Sequence, residues 1–101
     1  MTRRLVFTPE AAADIRAGHR WYEAQQAGLG NSFKLAVEIA SAQALGSPER
    51  FRLAFDAFHR VLVRRFPFGI LYTFDDDFVV VHIVFHTSQD PSKWRERLDP
   101  H

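Results

Sequence analysis

The chain has 101 residues, a formal net charge of +1, 47% hydrophobic and 25% charged residues, and no cysteine. Such a composition excludes disulfides, thiol catalysis and thiolate metal sites, and it is that of one folded domain over 1-101, long enough to bury roughly two thirds of its unfolded surface. A net charge this close to zero argues against nucleic-acid binding by bulk electrostatics and leaves only a local basic patch for it.

Met1-Thr2-Arg3-Arg4 precedes only three apolar residues, and no apolar run approaches the roughly 20 residues of a membrane span, so a cytoplasmic protein without membrane contact is expected. Leu5-Val6-Phe7 reads as a short strand. Thr8-Pro9-Glu10 then supplies an N-cap hydroxyl, a proline for the first helical position and an early acid. Ala11, Ala12, Ile15, His19 and Tyr22 make the apolar stripe of that helix, with Asp14 off the stripe and Gly18 weakening it. Ala27 to Ser32 is a turn offering Asn31 or Ser32 as the next N-cap. Phe33, Ala36, Val37, Ala40 and Ala44 stripe a second helix, closed by Gly46-Ser47-Pro48. The two helices form an αα-hairpin.

Pro48 to Ala57 carries no clear period and reads as coil. Phe58 to Arg65, Phe68 to Phe74 and Phe78 to His86 read as three strands, rich in β-branched and aromatic residues. Phe66-Pro67 and the triple aspartate at 75 to 77 are their turns. Asp90 and Pro91 open a short terminal helix through Leu98. The sum is an α+β two-layer fold: an N-terminal strand, an αα-hairpin packed on a roughly four-stranded antiparallel sheet, and a short C-terminal helix.

Strand alternation puts Arg60, Leu62 and Arg64 on one face with Phe58. On the last strand it sets Val79, Val81, Ile83 and Phe85 as the apolar face under the helices and His82 and His86 on the open side. If those faces coincide, Arg60, Arg64, His82 and His86 form a catalytic candidate set in which imidazoles move a proton and guanidiniums hold a phosphate. The competing reading is that the arginines pair with acids and His82 is a satisfied sheet histidine. His82 and His86, four apart on a strand, have Cα atoms about 13 Å apart, too far for one metal ion. No Gly-rich phosphate loop or serine triad is present, so neither metal nor cofactor is expected.

The Thr8-Pro9-Glu10-Ala11 helix start, Trp21-Tyr22, the Arg64-Arg65-Phe66-Pro67-Phe68-Gly69 segment and the tail from His86 through Asp90-Pro91 to Trp94 and Arg97 resemble the RelE/ParE toxins of bacterial type II toxin-antitoxin systems. The resemblance covers nearly the whole chain. It implies a growth-inhibiting toxin neutralised by a cognate antitoxin in a hetero-oligomer, with the ribosome and its messenger RNA as target in RelE-like members and DNA gyrase in ParE-like, plasmid-stabilising ones. Lys34 and Lys93 are the only lysines, so the lysines of the ribonucleases have no match, and the tail is closer to ParE. The endoribonuclease alternative rests on Arg60, Arg64, His82 and His86, and a third alternative is an inactive binding module. An apolar groove including Phe33, Phe51, Phe55 and Trp94 is expected to receive the antitoxin.

Overall fold

Thr8 caps the first helix as its position predicts: its Oγ1 accepts the Ala11 N–H at 3.1 Å, and Pro9 opens the helix. The computed structural model of the protein describes residues 2–98. Its elements are β1 (Arg4–Phe7), α1 (Pro9–Gln25), α2 (Leu29–Gly46), a 3-10 turn at Pro48–Arg50, β2 (Leu53–Phe55), β3 (Phe58–Val63), β4 (Phe68–Phe74), β5 (Phe78–His86) and α3 (Pro91–Leu98). Among the described residues no helix is long and apolar enough to cross a membrane.

The two-layer α+β architecture is as expected, but the sheet has five strands in the order β1-β5-β4-β3-β2 and is mixed rather than antiparallel. Arg4 to Phe7 pair in parallel with Phe78 to Val81, bringing the two distant ends of the sheet sequence together. The fifth strand comes from the segment read as coil, where Leu53 and Phe55 pair with His59 and Phe58 across a tight turn at Asp56, whose φ is 51°. Aspartate tolerates that left-handed conformation, so the turn needs no glycine and leaves no glycine signal.

A second correction concerns which residues share a face. Leu71 pairs with Ile83 but Tyr72 pairs with Val81, so His82 is an extra residue without a partner, a β-bulge. The bulge reverses the alternation. Val79 and Val81 face the helices before it and Val84 after it, whereas Ile83 and Phe85 turn to the other side. The helix-side core gathers Phe33, Val37, Ala40, Val61, Val63, Ile70 and Tyr72 under the hairpin. The opposite core is built by Leu71, Ile83 and Phe85 under Trp94 of α3.

Local chemistry holds these layers in place. Gly28 caps α2 with φ 89°, and its amide and that of Gly30 donate to the Glu23 carboxylate of α1 at 2.9 Å each. Those two bonds hold the Glu23 carboxyl below the usual carboxylate range, and they do the capping expected of Asn31 or Ser32. Asn31 bonds His19 Nε2 instead, at 3.1 Å. Tyr72 is fully buried and donates to the Pro48 carbonyl at 2.7 Å, tying the 3-10 turn to the sheet; burial pushes its hydroxyl up to about 12.

Gly18 has a role that helix propensity misses. A Cβ there would lie 2.5 Å from the Phe33 ring, which is itself locked among Tyr22, Phe66 and Phe68. Gly18→Ala is therefore expected to destabilise the fold by about 1–3 kcal/mol, despite a better helix propensity. Urea unfolding measures it, and a second change of Phe33 to Leu should recover part of the loss.

Candidate functional site

The four residues singled out in the strands do not meet. Arg60 stands at the level of Leu71 and Ile83 in the ladder, with β4 between β3 and β5, so it lies about 10 Å across the sheet from the β5 backbone. His82 is half-buried at the bulge. Its Nε2 shares a 2.9 Å hydrogen bond with Thr73 Oγ1, and the Phe58 ring sits edge-on at 5.1 Å. Burial pushes its pKa down, and the nearby Glu10 carboxylate offsets only part of that. His86, exposed at the far end of β5, lies against Phe68 and accepts the Ser88 N–H on Nδ1 at 3.1 Å. Arg64 lies beyond the end of β3, in the turn to β4.

Arg60 and Arg64 belong instead to a groove along the outer edge of β3. Beside α2 a cavity of about 430 Å³ is lined by Leu35, Ile39, Leu62, Arg64 and Arg65 among others. It continues, sharing Gln43 and Leu62, into one of about 370 Å³ where Arg50, Arg52 and Arg60 converge. Leu35, Ile39 and Leu62 are each more than half exposed. Among the described residues no carboxylate lines either cavity, and the one ion pair involves none of these arginines. Beyond Arg60, whose N–H reaches the Arg52 carbonyl at 3.0 Å, no strand among the described residues pairs with β3 on this side. Arg50 and Arg52 carry no such signal in the sequence, because a segment without a clear period assigns its residues no face.

Arg65 sits in this groove at φ 74°, a conformation that costs a non-glycine residue about 1–2 kcal/mol. Phe33 and Trp94, by contrast, are buried in the two cores, and Phe51 and Phe55 are half-buried against them. The exposed apolar side chains of this groove are thus Leu35, Ile39 and Leu62, with Trp21 and Leu53 exposed elsewhere, and the aromatic groove expected from the sequence does not form.

On the other side of the sheet, the stretch of β5 that the short edge strand β1 leaves unpaired is closed by the start of α1. Where β1 ends, Thr8 donates from its N–H to the Val81 carbonyl at 3.0 Å and from its hydroxyl to the His82 carbonyl at 3.3 Å. One turn and a half further along α1, Asp14 Oδ2 accepts the Val84 N–H at 3.1 Å, and the same carboxylate accepts from both terminal nitrogens, Nη1 and Nη2, of Arg97 in α3 at 3.1 Å. Asp14 lies off the apolar stripe because it replaces a strand. No group of three or more histidine, aspartate or glutamate side chains among the described residues is placed to hold a metal ion.

An αα-hairpin over a mixed five-stranded sheet, a bracing C-terminal helix and an arginine-lined edge define a small toxin-fold domain of the kind the sequence motifs resemble. The sequence model of the ParE toxin of type II toxin-antitoxin system, parDE, matches residues 5–91, and the chain belongs to that family. A solved chain of the chromosomal ParDE TA system from P. aeruginosa has the same fold, with a TM-score of 0.66 at 16% identity over 84% of this chain and 96% of that one. No curated protein sequence matches the chain.

Two outcomes follow from the closed edge. Asp14→Ala leaves the Val84 amide without its acceptor and should cost about 1–3 kcal/mol, whereas Arg97→Met, which removes a partly exposed ion pair, should cost at most about 1 kcal/mol in the same urea titration. For His82 the native state favours the neutral ring. As pH falls through the unfolded value of about 6.5, the unfolded chain takes up a proton that the native one resists, so stability drops below that pH. Comparing unfolding midpoints on either side of that pH, His82→Gln should lose less stability on acidification than the unaltered chain.

Proposed function

We propose that this chain is the toxin of a type II toxin-antitoxin pair, that it arrests growth by poisoning DNA gyrase, and that an acidic segment of its antitoxin neutralises it by covering the β3 groove. The groove carries the antitoxin part of this reading. Five arginines without carboxylate partners, three exposed aliphatic side chains and an uncovered strand edge suit a segment bearing carboxylates, apolar side chains and free backbone amides. Arg65 adds to it, since a strained arginine stands where glycine would be more stable.

Gyrase rather than messenger RNA is favoured by the scattering of Arg60, Arg64, His82 and His86. Cleavage of a phosphodiester needs a proton-transfer group and a charge-stabilising cation within hydrogen-bond reach of one phosphate. Here one histidine is held by Thr73 and Phe58 in the sheet and the other lies at the end of β5, while both arginines line the far edge. Family membership supports the same choice.

Expression without the antitoxin, read for gyrase-linked DNA breaks and for ribosome-dependent messenger cleavage, tests the target. His86→Ala should still arrest growth and still produce the breaks; messenger cleavage that disappears with this substitution would overturn the gyrase reading. The antitoxin part is tested separately. Leu62→Asp combined with Arg64→Glu should weaken the antitoxin complex about tenfold or more while leaving free toxin active.

A further inference from the structure

Helix α2 has a second flank. Opposite the β3 groove, α1 and α2 enclose two adjoining hollows of about 290 and 300 Å³ that share Ile15, Arg16 and Lys34. Their floor is apolar, made by Phe7, Ala12, Ile15 and Val37, all buried or half-buried. Their rim carries Arg16, His19, Arg20 and Lys34, with Glu38 as the one carboxylate. None of these rim residues is in the one ion pair found among the described residues, and the charge here stands out on a chain whose net charge is only +1.

We infer that this hollow is a second protein-docking site, built for an acidic amphipathic helix. Its lining spans α1 from Ala12 to Arg20, about 12 Å or a little over two helical turns. Between two antiparallel helices a third can lay its ridges into the shared groove, its apolar side chains on Ile15 and Val37 and its carboxylates against the flanking cations. Three fixed cations against one carboxylate give the complementarity its sign. A nucleic-acid backbone would meet the same cations, but its phosphates and sugars leave an apolar floor of this depth unfilled. The inference goes beyond the toxin reading, because neither the β3 groove nor the toxin's target enters it.

The test uses the full chain and a fluorescein-labelled synthetic helix with leucines at i, i+3, i+4 and i+7 and glutamates elsewhere, followed by fluorescence anisotropy at physiological salt. Two comparison probes are the same helix with glutamines for glutamates and a duplex DNA of equal net charge. The acidic helix should bind, and Arg16→Ser, Arg20→Ser and Lys34→Ser together should weaken it about tenfold or more, by summing modest rim pairs. Because those residues are exposed, an unchanged circular dichroism spectrum verifies that the triple variant folds. Ile15→Gln should weaken the acidic and the glutamine helix alike, which separates the floor from the rim. Failure of the acidic helix to bind, binding indifferent to the triple substitution, or tighter binding of the DNA duplex would each overturn the inference. Growth arrest is not read at any point, so failure here leaves the toxin reading standing.

Discussion

One unpaired residue in the central part of β5 governs the layout of this protein. Because His82 has no partner in β4, the strand presents Val79 and Val81 to the helical hairpin, then Ile83 and Phe85 to the opposite side. Without the bulge, Ile83 and Phe85 would continue the helix-side row, and α3 would face His82, Val84 and His86 in place of the apolar pair that receives Trp94. A single extra residue thus lets one strand serve two cores. It also turns His82 into a half-buried, hydrogen-bonded residue of the framework.

The short edge strands β1 and β2 each leave part of a neighbouring strand uncovered, and the two stretches are treated oppositely. On the β5 side Thr8 and Asp14 of α1 take up carbonyls and an amide where β1 stops, and Arg97 fastens α3 to the same carboxylate. On the β3 side β2 is three residues long and covers only the start of its neighbour. An exposed strand edge invites pairing with other chains, and proteins commonly blunt it with charge. Here the charge is all arginine and the nearby side chains are aliphatic.

Much of the fold was legible in local pattern. Thr8-Pro9, the apolar stripe of α2, the strands at 68 to 74 and 78 to 86, and Asp90-Pro91 are governed by residues within a few positions of one another. Asp75 illustrates this: its carboxylate takes the Asp77 and Phe78 amides at 2.8 Å, as a turn aspartate should. Of the site, Arg60 and Arg64 were legible as cations on one face of the third strand, although Arg60 is half-buried and Arg64 lies in the turn that follows. Their company was not, because Arg50, Arg52, Leu35 and Ile39 reach the groove from other elements.

The sequence by itself determined every element type except the 3-10 turn and β2, most boundaries, the absence of thiol chemistry and the kinship with a toxin family, since propensity, capping and periodicity act over one or two turns of chain. Only the tertiary structure decided the parallel pairing of β1 with β5, the reversal of faces at His82, the partnership of Asp14 with Val84 and Arg97, and the separation of the two arginines from the two histidines. Each of these depends on the register between segments far apart in sequence. Register is chosen by the packing of whole faces against one another, and no local pattern encodes where one strand must skip a residue to satisfy two cores.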